Sequence, residues 1–352
     1  MTIHSFKTVS ARSLHWLAAL MTLTAIGMSL ATTGCTGKPA NSQELLHVSY
    51  DVTREICTAV NEKFIKRYET ETGKKLTIKQ SHGGSSSQAR SVIDGLKADV
   101  VSLALWIDIN AIAKSGLIEP GWENRLPNES IPYFSTVVFV VRKGNPKNIK
   151  DWPDLVREGV EVITPNPKSS GNGKLSFLAA WGSVTTRGGS DEEAMKYLTD
   201  LYRHVPVLES GGRGATTTFL NKRIGDVQLA WENEGYLAVK ESKGEVEIVY
   251  PPVSIRAEPV TAVVTSNAKR KGTTETAEAY LKFYFEPEVQ KLIAENFFRP
   301  SDPQVAEEFQ EKFPPLTMFR VTDISKGWDD AQTRFFSEGA LFDQISKLAA
   351  KR

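Results

Sequence analysis

Four segments rich in Gly, Ser and Asn carry the residues whose types and spacing suit binding chemistry. They are Ser49-Tyr50-Asp51-Val52-Thr53-Arg54-Glu55, Gln80-Ser81-His82-Gly83-Gly84-Ser85-Ser86, Asn166-Pro167-Lys168-Ser169-Ser170-Gly171-Asn172-Gly173 and Glu209-Ser210-Gly211-Gly212-Arg213-Gly214-Ala215-Thr216. Each follows an apolar run and precedes a helical pattern. Glycine lets backbone approach closely and serine adds a hydroxyl donor. A helix N-terminus presents unpaired N–H groups at the positive end of its dipole. Together these parts favour a small anion. Any one loop also reads as a turn and a helix cap: Ser85 with Gln88 three residues on fits a capping box. Four loops of one kind at one sheet edge point instead to a shared site, and a cap leaves its other N–H groups free to bind.

Enzyme templates fail by position. Gly173-Lys174 invites comparison with a phosphate-binding P-loop, but Lys168 stands where that motif needs its first glycine and Leu175 where it needs Ser or Thr. The chain contains no G-x-S-x-G elbow. His47, His82 and His204 share no ligand spacing, and Cys57 is the only cysteine after residue 35, so no metal cluster is expected and no cofactor is called for. His82 reads as a structural hydrogen-bonding residue. Cys57, in the pattern Ile56, Cys57, Val60, Phe64, reads as a small core hydrophobe.

The elements that must position these loops alternate. Strands are expected at 45–50, 76–80 and 100–105, with helices over about 52–70 and from Ser85, where Ala89, Val92, Ile93 and Leu96 recur at helical spacing. Alternation of this kind implies a parallel sheet covered by helices. Ser135–Arg142 is a long apolar strand leading to a second lobe with strands at 160–163, 205–208 and 227–231. The expected fold is α/β, in two lobes joined by more than one crossing, with the ligand cleft between them. The first lobe takes 45–132 with 256–320 and the second 133–255; the tail over 321–352 packs on one lobe or bridges both.

The chain has 352 residues, with 43 Lys+Arg against 42 Asp+Glu and a net charge of +1. That length suits two domains. Forty per cent hydrophobic residues exclude a disordered chain or a fibre, and a near-zero charge argues against a general nucleic-acid binder. Residues 1–34 read as a secretory signal: Lys7 and Arg12, a 14-residue apolar run too short to span a bilayer, then small residues. Thr33-Gly34-Cys35 resembles the end of a bacterial lipoprotein signal, although Thr32 stands where leucine is usual, so Cys35 is the expected lipidation site; cleavage near Ala31 is the alternative. Residues 35–44 read as a tether.

Taken together, Ser49–Glu55, Gln80–Ser85, Asn166–Gly171, Ser210–Gly214 and Ala230-Trp231-Glu232-Asn233-Glu234 resemble the periplasmic sulfate-binding proteins, the solute receptors of sulfate/thiosulfate ABC importers. The likeness runs in order from about Leu45 to Ser346 and includes Asn296-Phe297-Phe298-Arg299-Pro300 and Phe342-Asp343-Gln344-Ile345-Ser346. It implies a type II periplasmic-binding-protein fold that closes on an oxyanion held by neutral donors. Carried onto this chain, Asp51 gives its backbone N–H, Ser85 its N–H and hydroxyl, Ser170 its hydroxyl, Gly171 and Asn172 backbone N–H groups, Gly212 a backbone N–H, and Trp231 its indole N–H. Arg213 and His82 support these groups without touching the ligand, and Glu232 is structural. Two departures stand out: Gly171-Asn172-Gly173-Lys174 where the family continues Gly-Gly-Ala-Arg or Gly-X-Ala-Arg, and Gly212 where it often has alanine.

The resemblance implies a periplasmic, monomeric receptor that delivers sulfate to a membrane permease and catalyses no reaction. Sulfate near neutral pH has acceptors and no proton, which suits donors alone. Thiosulfate, then molybdate or tungstate, are the nearest rival ligands. An exported enzyme acting on sulfate or phosphate esters is a rival of another class and lacks a nucleophile–base pair in the sequence. An envelope interaction protein that has lost its ligand is a third.

Overall fold

Twelve strands, sorted into two sheets, account for the alternating apolar runs. They are seen in a computed structural model that describes residues 42–351. The leader, Cys35 and the tether through residue 41 lie outside the described residues. The strands are β1 (Ser42–Tyr50), β2 (Lys75–Gly83), β3 (Val100–Leu103), β4 (Tyr133–Arg142), β5 (Val162–Pro165) and β6 (Leu208–Glu209). There follow β7 (Val227–Trp231), β8 (Val246–Val249), β9 (Val253–Ala257), β10 (Val260–Val263), β11 (Arg299–Pro300) and β12 (Thr317–Phe319). The helices that bear on the site are α1 (Arg54–Thr72), α2 (Ser85–Ile93), α3 (Trp106–Lys114), α4 (Gly171–Thr185), α5 (Asp191–Arg203), α6 (Gly212–Leu220), α7 (Glu232–Glu241), α8 (Thr274–Phe283) and α9 (Leu341–Ala349).

The first sheet runs β10-β3-β1-β2, parallel except for β10 against β3. The second runs β12-β9-β4-β7-β5-β6, with β8 and β11 also paired to β4. These sheets are the cores of two α/β lobes. The chain passes between them three times: after β3, after β9 and after β10. Two boundaries differ from expectation. Strand β1 starts at Ser42, because Ser42, Gln43 and Glu44 pair with Lys75, Leu76 and Thr77, so these three residues are strand and not tether. Arg256 and Ala257 pair with β4, so the chain re-enters the first sheet at Val260 and not at 256.

Local chemistry explains the elements. All four residues of β3 and all five of β7 are buried, as befits strands covered on both faces. Helix α1 buries Ile56, Cys57, Val60, Asn61 and Phe64 and ends at Gly73 in the left-handed conformation, whose N–H bonds Glu69 O. Helix α5 opens with a capping box of Ser190 and Glu193 and carries three acidic residues in its first turn. Beyond residue 320 the tail touches both lobes. Phe342 of α9 packs on Phe177 and Tyr202, with ring centroids 5.9 and 5.5 Å apart, while Asp329 pairs with Lys114 of α3 at 2.8 Å.

Candidate functional site

Every segment singled out from the sequence lies at the carboxyl end of a strand. Asp51 follows β1, Gly84-Ser85 follows β2, the loop 166–170 follows β5, Ser210-Gly211 follows β6, and Trp231 ends β7. In open α/β sheets that edge is where ligands bind. The first turns of α2, α4 and α6 begin there, with Ser85, Gly171 and Gly212 as first helical residues. Their leading N–H groups have no partner within the helix.

Direct contacts bring the loops of the two lobes together. A Cβ on Gly84 would lie 2.5 Å from Ser169 O, and one on Gly171 would lie 2.6 Å from Ala104 Cβ and 3.2 Å from Ser85 Cβ. Glycine lets the lobes meet backbone to backbone at Gly84 and backbone to side chain at Gly171. The Arg213 N–H donates to Asp51 Oδ2 at 3.2 Å, and Asn233 Nδ2 donates to the Val52 carbonyl at 3.1 Å. The Tyr50 and Trp231 rings pack with centroids 5.2 Å apart. The result is enclosed: Asp51, Ser85, Ser170, Asn172 and Trp231 are between 0% and 8% exposed.

Within this enclosure the donors differ in what they already do. The Trp231 Nε1 and Asn172 Nδ2 atoms are buried with no hydrogen-bond partner among the described residues. A buried donor left unpaired costs about 1–3 kcal/mol, so these atoms await an acceptor. The Ser170 hydroxyl caps α4 by accepting from Gly173 N–H at 3.3 Å. Accepting leaves its own proton to donate. Ser85 behaves differently: its hydroxyl donates to Asp108 Oδ2 at 2.5 Å and accepts from Ala104 N–H at 3.0 Å. Of the two donors expected from Ser85, the hydroxyl is thus committed to Asp108 and the helix-terminal N–H remains. The capping box of Ser85 with Gln88 is not formed. Gly84 is the N-cap, because Ser85 has already entered the helix, and Gln88 turns back to Ser81.

Charged groups around the enclosure are held by partners within the protein. The Arg213 guanidinium lies 2.9 Å from Glu55, 3.2 Å from Glu234 and 3.2 Å from Glu241, while its backbone holds Asp51. Burial pushes the Glu234 carboxyl up to about 8, against the pull of Arg213. Burial likewise raises Asp51, opposed by the N–H of Arg213. His82 bonds Gln80 Oε1 at 2.7 Å, and burial lowers its imidazole below the usual range, in keeping with a structural neutral ring. Glu232 is fully buried in a two-pronged pair with Arg299 at 2.7 and 2.8 Å, and it accepts from Tyr250.

Sequence reasoning missed Asp108 and the placement of Lys174. Asp108 sits in the first turn of α3 and accepts from Ser85 and from Ser86, the latter at 2.9 Å. Its signal was a lone acid just after the apolar run of β3. Lys174, 6% exposed, reaches Ser86 Oγ at 3.2 Å and Gln332 Oε1 at 3.0 Å, joining α4 to the first lobe and to the tail.

Two α/β lobes closed over an enclosed set of neutral donors define a solute receptor of the type II binding-protein fold. The chain belongs to the bacterial extracellular solute-binding proteins, whose family model matches residues 52–299. It is 50% identical to the sulfate-binding protein of Escherichia coli over 310 residues, covering 88% of this chain and 94% of that one. It is 46% identical to the thiosulfate-binding protein of Pseudomonas aeruginosa over 325 residues, covering 92% and 96%. The solved sulfate-binding protein SubI of Mycobacterium tuberculosis superposes with a TM-score of 0.76 at 34% identity, over 84% of this chain and all of that one. Among the described residues, no helix is long and apolar enough to cross a membrane.

Proposed function

We propose that this protein is a periplasmic receptor that captures sulfate and delivers it to the permease of an ABC importer. It catalyses no reaction, acts as a monomer, and is held at the membrane by lipid on Cys35. The backbone N–H groups of Asp51, Ser85, Gly171, Asn172 and Gly212, the Ser170 hydroxyl and the Trp231 indole hold the anion. The observation that carries this reading is the buried Trp231 Nε1, without a partner among the described residues, at the carboxyl end of β7, with three helices opening at the carboxyl ends of other strands. Such a site stabilises a dianion by dipoles and hydrogen bonds, with the nearby guanidinium of Arg213 already engaged by carboxylates. Protonated phosphate is disfavoured because its O–H needs an acceptor.

Thiosulfate is the second reading, favoured by the thiosulfate-binding relative that matches over nearly the whole chain. Calorimetric titration of residues 36–352, stripped of bound anion, with sulfate, thiosulfate, molybdate and phosphate separates the two. Tight one-to-one binding of sulfate with phosphate ignored supports the proposal. Tighter thiosulfate binding changes the cargo, and no binding by folded protein overturns the receptor.

A further inference from the structure

Two residues of the loops that open α4 and α6, Asn172 and Gly212, touch one another. Asn172 is the second residue of α4, and its Oδ1 accepts from the Ser176 hydroxyl one turn on, at 3.2 Å. That bond sets the orientation of the amide and turns Nδ2 the other way. Nδ2 is buried without a partner, in a residue only 4% exposed. It faces the first residue of α6: a Cβ at Gly212 would lie 2.9 Å from Asn172 Nδ2 and 3.0 Å from Val52 Cγ1. A side chain at position 212 would therefore occupy the space that the amide uses. Gly212 leaves room for the amide at the N-terminus of the helix whose N–H groups line the site.

We propose that the Asn172 side chain is itself an anion ligand, its Nδ2–H donating to an oxygen of the bound oxyanion in the space that Gly212 leaves open. This rests on the anion-receptor reading and adds to it a side-chain donor that residue 172 supplies besides its backbone N–H. A neutral amide is the appropriate donor here, since it contributes a hydrogen bond without a proton equilibrium of its own. An unpaired buried amide destabilises the empty closed protein and is satisfied when the anion arrives. The requirement for an oxygen at this point also makes residue 172 a place where sulfate and thiosulfate are told apart, because a terminal sulfur is the weaker acceptor.

The test is calorimetry with sulfate on anion-stripped wild type, Asn172→Ala, Asn172→Asp, Gly212→Ala and the double variant Asn172→Ala/Gly212→Ala, with thermal melting of each empty protein. Asn172→Ala is expected to bind sulfate about 10-fold or more weakly, a loss in the range for a hydrogen bond to a charged group. Its empty form should melt no lower than wild type. Asn172→Asp, of equal shape, should bind weaker still, since a carboxylate faces the anion. Gly212→Ala should weaken binding by displacing the amide, and the double variant should bind no more weakly than the weaker single variant. Wild-type affinity in Asn172→Ala, or additive losses in the double variant, overturns the assignment while leaving the receptor intact. A wild type that binds no oxyanion overturns the receptor and this assignment together.

Discussion

At the scale of single residues, the site is a matter of which donors are spoken for. Trp231 Nε1 has no partner among the described residues, while the Ser85 hydroxyl donates its hydrogen bond to Asp108. Trp231→Phe keeps an aromatic ring beside Tyr50 and deletes the donor, so sulfate affinity should fall about 10- to 100-fold, as for a hydrogen bond to a charged acceptor, and the space left by the smaller ring should also lower the melting temperature of the empty protein. Ser170→Ala removes a donor and a cap at once. It should weaken sulfate binding and also lower stability by about 1 kcal/mol, readable by denaturant unfolding. The family resemblance named Ser170, Gly171, Gly212 and Trp231, and all four lie at the carboxyl ends of β5, β6 and β7. It did not expose Asp108, since a hydrogen bond between β2–α2 and α3 has no local signature. Nor could it show that the Ser85 hydroxyl is occupied.

At the scale of elements, strand-to-helix handovers do the positioning. Alternation of apolar runs was enough to place these turns at the carboxyl ends of strands, but not to show that they belong to two sheets and not one. The finer boundaries were lost where polar residues join a strand by pairing alone, as Ser42, Gln43 and Glu44 do with β2. Close approach between elements was legible only as an excess of glycine. Gly171 meets Ala104 and Ser85 of the opposite lobe at distances that leave no room for a methyl group. Gly171→Ala should hold the first turn of α4 off the β3–α3 loop. The expected outcome is a weaker sulfate affinity and a smaller ligand-induced compaction by small-angle X-ray scattering. A variant that binds and compacts like wild type would show that the contact does not govern closure.

At the scale of the whole molecule, two buried titratable groups set opposite limits on stability. His47 is fully buried between Tyr280 of α8 and Ser102 of β3, both at 2.8 Å, and burial lowers its imidazole to about 3 from an ordinary 6.5. A lowered base favours the folded state above its unfolded value, so that stability is lost as pH falls from 6.5 towards 3. Glu234 is raised by burial to about 8 from an ordinary 4.5, so its contribution is present below 4.5 and lost as pH rises through 8. Asp51, also raised by burial, acts in the same sense as Glu234. The slopes of His47 and Glu234 oppose one another between 4.5 and 6.5, where stability of the anion-free protein should peak. Glu234→Gln should flatten the fall between pH 6.5 and 8 in thermal melts, and an unchanged slope would remove Glu234 as its cause. None of this was legible in the sequence, where His47 and Glu234 are isolated letters. Their environments are made by residues on other elements, such as Tyr280 for His47 and Arg213 for Glu234.

The central claim is that sulfate is held in the closed cleft by neutral donors alone. The most direct measurement is a crystal structure of the sulfate-bound protein. The anion is predicted to lie within hydrogen-bonding distance of Trp231 Nε1, the Ser170 hydroxyl and the backbone N–H groups of Gly171, Asn172 and Gly212, with every Lys and Arg side chain beyond ion-pairing reach. A sulfate paired directly with Arg213 or Lys174, or seated away from Trp231, would contradict it.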